Sequence, residues 1–186
     1  EHMRGKLYII TGPSGVGKTS VALELLKRRP TLKKVVTCTT RPPREGETDG
    51  MSYHFLSQET FRKLIDEGAM FEWDEHYDNL YGSRRSDVEA LMSAGYDVLF
   101  VVNVAGAQTI KKENPDSILF FIEAENVDQL LGRIAKRDKG TTMGLEERTA
   151  AIEREMTFAA SADHRITNRE GKLQETIAQI DALMNA

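Results

Sequence analysis

The amino-acid sequence predicts an α/β protein whose parallel sheet is covered by helices on both faces. Three observations predict it. Short apolar runs at residues 7–10, 98–102 and 118–122 lack the alternation of a half-exposed strand and read as buried strands. Segments with apolar residues at helical spacing lie between such runs, as a parallel sheet with crossover helices requires. The first strand passes directly into a glycine-rich turn that opens the first helix.

Taken in order, residues 6–11 form the first strand and residues 18–28 a helix with Val21, Ala22, Leu25 and Leu26 on one face, stopped by Pro30. Residues 33–39 read as a second, shorter strand. Residues 41–50, rich in proline, glycine and charge, read as a loop. Residues 53–55 form a short strand. Residues 57–68 form a helix that Ser57 can cap, Phe61, Leu64 and Ile65 line, and Gly68 ends. Residues 70–73 are strand-like and 77–83 turn-rich. A helix follows at 87–93, then the strands at 98–102 and 118–122. Val127, Leu130, Leu131 and Ile134 give a further helix, with Asn126 and Gln129 placed like a capping box. A polar loop at 137–144, a helix at about 145–160, a strand at 164–168 and a helix at 173–184 complete the chain. The stretch from about residue 37 to 85 breaks the alternation and reads as an inserted binding region.

The 186 residues suit one compact domain with its own core. A net charge of −4 argues against a general nucleic-acid partner, which needs a basic face. No apolar run approaches the ~18–20 residues of a membrane-spanning helix, and no secretory leader is read. Glu1-His2-Met3 reads as a cloning remnant at or before a start methionine. The single cysteine, Cys38, cannot pair within the chain, and nothing requires an oxidising compartment, so the expected location is the cytoplasm.

The turn reads Gly12-Pro13-Ser14-Gly15-Val16-Gly17-Lys18-Thr19-Ser20 and satisfies G-x-x-x-x-G-K-[ST], the P-loop. Its glycines let the backbone N–H groups face a phosphate chain, and the helix that follows adds its positive end. Lys18 brings a cation to the terminal phosphates, and the Thr19 hydroxyl can ligate Mg²⁺. These nine residues are the candidate ATP contacts. A P-loop does not name the phosphate acceptor, so the insert must.

The insert opens on Thr39-Thr40-Arg41-Pro42-Pro43-Arg44-Glu45-Gly46-Glu47-Thr48-Asp49-Gly50-Met51-Ser52-Tyr53-His54-Phe55. Two arginines three apart can clamp a doubly charged phosphate with forked hydrogen bonds. Pro42 and Pro43 stiffen the loop, and Tyr53 can donate its hydroxyl to the same anion.

With this block the sequence resembles the guanylate kinase family, whose signature T-T-R-x-x-R-x-G-E-x-x-G-x-x-Y-x-F is matched throughout. The resemblance runs from about residue 6 to 168 and includes Phe71-Glu72-Trp73, Tyr81-Gly82-Ser83 and Gly106-Ala107-Gln108. It implies a P-loop nucleoside monophosphate kinase fold at 4–186, with a core at 4–36, 84–132 and 160–186, a GMP-binding insert at 37–83 and a mobile lid at about 133–159. It implies transfer of the γ-phosphate of ATP to GMP, with Mg²⁺ as cofactor, in a monomer or homodimer without a membrane partner. Arg41, Arg44, Tyr53 and Tyr81 match positions that hold the GMP phosphate. Glu72 matches the carboxylate that accepts from guanine N1 and the 2-amino group. Thr37 stands where a serine donates to the guanine oxygen, and Ser83 matches a further base contact. Arg137 and Arg148 align with arginines that reach the phosphates, and Arg133 with another on that side. With Lys18 and Arg41, Arg137 and Arg148 are the expected catalytic groups. Asn168 lies in the segment near the adenine.

The family's strand at 98–103 usually ends in Asp-x-Asp, near the magnesium-bound water and the GMP. Here those positions are Val101 and Asn103. Asn103 can still hydrogen-bond but carries no charge, so Mg²⁺ is expected to rest on the ATP phosphates and Thr19. Glu47, grouped with the acceptor residues, is a candidate replacement carboxylate, and restoring aspartate at 103 is expected to raise turnover or tighten the Mg²⁺ dependence. Two other readings stand beside this one: a related kinase with another acceptor, such as a ribose bisphosphate kinase, and a non-catalytic guanylate-kinase-like module that binds phosphopeptides.

Overall fold

The computed structural model describes residues 3–137 and 144–186, and the side chains of Arg137 and Leu145 lie outside that description. The expected lid, about 133–159, therefore includes residues 138–143, which lie outside the described residues.

Strand β1 (Leu7–Thr11) is buried at every position. It occupies the middle of a five-stranded sheet with β2 (Leu32–Lys33), β7 (Asp97–Val101), β8 (Ile118–Glu123) and β9 (His164–Thr167), in the order β2-β7-β1-β8-β9. Every pairing in this sheet is parallel. Ile10 sits between Val101 on one side and Phe120 on the other. The helix α1 (Lys18–Arg28) carries the chain from β1 towards β2, and α4 (Val104–Glu113) carries it from β7 across β1 to β8. The strand order thus reverses at β1, which opens a crevice beyond its carboxyl end.

Each face of the sheet has its own core. On one face Tyr8 and Ile10 pack with Val21 and Leu25 of α1 and with Ile177 and Ile180 of α7 (Leu173–Met184). On the other, Leu7 and Ile9 pack with Val88 and Met92 of α3 (Arg85–Ser93) and with Ala107 and Ile110 of α4. Each such buried aliphatic side chain contributes about 1.5–3 kcal/mol by its removal from water. Asp181 on α7 grips Arg28 and Arg29 at 3.1 and 2.6 Å, tying the end of α1 to the last helix.

The insert makes a second sheet, β4-β3-β6-β5, from β3 (Cys38–Thr39), β4 (His54–Phe55), β5 (Met70–His76) and β6 (Asn79–Arg84). Phe61 of α2 (Gln58–Asp66) fills its underside with Cys38, Met70 and Leu80. Ser57 caps α2 as expected, its hydroxyl accepting from the Thr60 amide at 3.1 Å.

Three expectations change. The single strand at 33–39 is two: β2 belongs to the parallel sheet and β3 to the insert, so the chain changes sheets between them. The turn-rich segment at 77–83 is mostly strand, because Tyr77 and Asp78 both take positive φ (49° and 62°) and close a two-residue hairpin. Helix α4 was not anticipated. It buries only Ala107 and Ile110 and contains Gly106, which leaves little helical pattern to read. The capping pair before α5 (Val127–Arg137) is near its expected form: Asn126 accepts from the Gln129 amide at 2.8 Å, and the Gln129 side chain reaches the Glu125 amide.

Candidate active site

The P-loop lies in the crevice beyond β1. Gly12 has φ 153° and a Cβ there would lie 2.3 Å from the Ile122 carbonyl oxygen; Gly17 has φ 97° and caps α1. A side chain at either position would strain the backbone and meet Ile122 or Asn168, so glycine is what lets the turn curl as an anion cradle does. The Lys18 ammonium folds back to donate to the Gly12 carbonyl at 2.6 Å. Thr19 and Ser20 are exposed on the first turn of α1. Glu155 of α6 (Leu145–Thr157) sits near Lys18: burial raises its carboxyl above the usual range, and the lysine charge opposes that rise.

Two expected nucleotide residues serve the loop itself. Arg133 reaches from α5 to the carbonyl oxygens of Gly15 and Val16, at 3.4 and 3.3 Å. Asn168, only 7% exposed, donates to the Val16 carbonyl at 2.8 Å and accepts from the Thr176 hydroxyl at 3.0 Å. These contacts brace the loop from behind. Arg148 lies half-buried on α6, and the side chain of Arg137 is outside the described residues.

A cavity of about 170 Å³ opens between the two sheets. Val101 and Val102 form part of its floor, and Val102 is bonded to Ile10 of β1 at 3.1 Å, so the floor adjoins the P-loop strand. Thr37, Glu72, Tyr81, Ser83 and Asn103 all line it. Ser83, 3% exposed, donates to Glu72 Oε1 at 2.9 Å. That bond turns the carboxylate and makes Ser83 its positioning partner. Burial pushes the Glu72 carboxyl above the usual range; the Ser83 bond pulls it down, and Asp74 pushes it up further.

Arg41 lies outside that lining and is connected to it through Tyr53 and Tyr81. Its guanidinium forks onto Glu47 at 2.8 and 2.9 Å and lies 5.2 Å from the centre of the Tyr53 ring. The hydrogen bond from Arg41, the amide of Arg44 at 2.7 Å and the charges of both arginines hold Glu47 down to about 2. Tyr53 and Tyr81 pack edge to face, 6.3 Å apart, and both help keep Arg41 charged. Arg44 is exposed at the loop tip. Thr39 and Thr40 support the clamp from behind: Thr39 accepts from the Arg41 amide at 3.2 Å and Thr40 from the Leu80 amide at 2.9 Å.

The strand end departs from expectation. Glu47 is committed to Arg41 and the Arg44 amide and does not replace the missing carboxylate. Asn103 caps α4 by accepting from Gly106 at 2.8 Å, and its amide nitrogen donates to Asp74 Oδ2 at 2.9 Å. Asp74 also lines the cavity, and sequence reasoning missed it. The signal was its position two residues after Glu72, on the same face of a strand. Burial pushes the Cys38 thiol up to about 11, so it stays protonated as a core residue.

The guanylate kinase family profile matches residues 4–186. The chain belongs to the guanylate kinase family. The guanylate kinase of a Synechococcus strain is 34% identical over 181 residues, which are 97% of this chain and 82% of that protein. The Thermus thermophilus guanylate kinase is 36% identical over 184 residues, covering 99% and 82%. The crystal structure of guanylate kinase from Anaplasma phagocytophilum superposes with a TM-score of 0.74 at 24% identity, over 98% of this chain and 86% of that one, and so shares its fold. At the end of β7, Asp74 stands beside Asn103.

Proposed function

We propose that the chain transfers the γ-phosphate of ATP to GMP, giving ADP and GDP. The observation that carries this is the layout of the acceptor cavity. Glu72, aimed by Ser83, lies in the cavity, and an arginine–tyrosine cluster of Arg41, Tyr53 and Tyr81 adjoins it at Tyr81, suited to clamp a phosphate. Guanine presents N1–H and a 2-amino group to one carboxylate. Adenine lacks that donor pair and would leave Glu72 buried and unpaired.

The division of labour follows from the residues. The P-loop backbone N–H groups, which Pro13 lacks, together with the Lys18 ammonium hold and orient the donor phosphates. Arg41, with Arg44 beside it, holds the acceptor phosphate; Glu47 keeps the guanidinium in place until that phosphate competes for it. Thr37 donates towards the guanine oxygen. Arg133 and Arg148, from the helices beside the P-loop, add positive charge where the transferring group becomes more negative. Arg137 belongs to this set by the family resemblance.

The cradle and the exposed Thr19 hydroxyl fit an ATP–Mg²⁺ pair, in which the metal neutralises phosphate charge. Among the described residues no three His, Cys, Asp or Glu side chains gather as a metal site. In this reading the metal would rest chiefly on the ATP phosphates, with Thr19 as the side chain that could join them. Asn103, bound to Asp74 and to the α4 amide, acts through its neighbours.

An ADP-release assay with GMP, AMP, dGMP and ribose 1,5-bisphosphate tests the proposal. ADP formation with GMP far above AMP and the sugar phosphate is expected, and Lys18→Ala should abolish it. A preference for ribose 1,5-bisphosphate would move the chain to the related-kinase reading. No ADP with any acceptor would leave only the binding-module reading.

A further inference from the structure

The acceptor cavity contains a second carboxylate that guanine recognition does not use. Asp74 follows Glu72 by two residues on β5, so both side chains leave the same face, about 6.6 Å apart along the strand. Its register partner is Tyr81, whereas Glu72 pairs with Ser83. The base end of the cavity is thus at Glu72 and Ser83, and the phosphate end begins at Tyr81, beside Tyr53 and Arg41. Asp74 lies one register step along β5 from the Glu72–Ser83 pair, directly opposite Tyr81. A nucleoside monophosphate laid along this wall, base on Glu72 and phosphate on Arg41, passes its sugar across Asp74.

The carboxylate is held for such a task. Asn103 Nδ2 donates to Oδ2 at 2.9 Å, and the Glu75 amide donates to Oδ1 at 2.9 Å. Asn103 cannot swing away, because its own oxygen is fixed by the Gly106 amide at the start of α4. Each Asp74 oxygen keeps a further lone pair, and the side chain is on the cavity wall.

We propose that Asp74, set in place by Asn103, is a specificity-determining residue that accepts hydrogen bonds from the ribose hydroxyls of the acceptor nucleotide. The inference rests on the reading of GMP as acceptor. A ribose offers two adjacent O–H donors to the two oxygens of a carboxylate, and a 2′-deoxyribose offers one. The site therefore favours ribonucleotide over deoxyribonucleotide acceptors, a selection that neither Glu72 nor Arg41 can make, since both touch groups that GMP and dGMP share.

The test measures kcat/KM for GMP and dGMP, with ATP saturating, in the wild-type chain and in Asp74→Ala, Asp74→Asn and Asn103→Ser. Serine at 103 can still cap α4 but lacks the amide donor. The wild type should prefer GMP by about tenfold or more, the scale set by a lost charged hydrogen bond. Asp74→Ala should bring that ratio close to one, mainly by raising KM for GMP, with KM for ATP unchanged. Asp74→Asn and Asn103→Ser should give intermediate ratios. An equal fall with both acceptors, or an unchanged ratio, overturns the role of Asp74 while leaving the GMP reading intact. A wild-type chain that forms no ADP with either acceptor removes that reading, and the inference goes with it.

Discussion

Asn168 and Val16 are joined by a 2.8 Å hydrogen bond that fixes the back of the P-loop to the last strand of the sheet. The Asn168 amide is oriented in turn by Thr176 of α7. The phosphate cradle is therefore anchored to a part of the chain more than a hundred residues away, a distance at which no local motif could have announced the contact.

Cutting that anchor should loosen the cradle. Asn168→Ala removes the shorter of the two hydrogen bonds to the Val16 carbonyl, leaving Arg133 at 3.3 Å, and should cost about 1 kcal/mol of stability, read by chemical denaturation. KM for ATP should rise several-fold, with KM for GMP little changed. Thr176→Val should show the same pattern more weakly.

Glu72 sets function against stability. Its carboxyl is raised by burial, so the folded chain binds that proton more tightly than the unfolded chain does. Its charge therefore weakens the fold above the raised value, and the penalty fades as pH falls through that value towards the ordinary carboxylate range. Glu72→Gln should raise the melting temperature at pH 7–8 and match the wild type in acid. It should also cut kcat/KM for GMP by about a hundredfold or more, with KM for ATP unaffected. In the wild type, KM for GMP should climb on acidification before ordinary carboxylates titrate.

The Arg41–Glu47 pair has the opposite sign. Glu47 is depressed to about 2 by Arg41 and the Arg44 amide. Its contribution is complete above the unfolded value near 4.5 and is lost as pH falls towards 2. Glu47→Gln should therefore destabilise the chain by the same amount from pH 8 to 5, and by less below that. Melting curves across this range check it.

The strand end gives a reciprocal test. Asn103→Asp by itself places a second carboxylate where the amide now donates to Asp74 at 2.9 Å. Repulsion should then lower GMP turnover, contrary to what the family pattern alone suggests. Adding Asp74→Ala should restore part of it. Steady-state kinetics on the two single variants and the double variant read the coupling directly.

Much of this was legible in the sequence. The parallel core was plain because its strands are continuous apolar runs and its helices carry regular stripes. The P-loop and the Arg41 loop were legible because their chemistry needs fixed residue types at fixed spacing. Three features were hidden for physical reasons. The Tyr77–Asp78 turn lacks the Asn-Gly or Asp-Gly pair that usually marks a hairpin, so β6 looked like loop. Helix α4 shows little apolar periodicity. The Asp74–Asn103 contact joins residues 29 positions apart across two elements, one of which was unseen. Asn168 and Ser83 were legible as site residues, whereas their contacts with Val16 and Glu72 join distant parts of the chain and show only in the fold.

The change of sheets between β2 and β3 has a mechanical consequence. The few residues that make the passage include Lys34, Val35 and Thr37, and these line the acceptor cavity. An acceptor seated there touches the connecting cord and both sheets at once, and so works as a rivet. Amide hydrogen exchange along residues 34–39 should slow when GMP is added, making this short stretch a built-in reporter of occupancy.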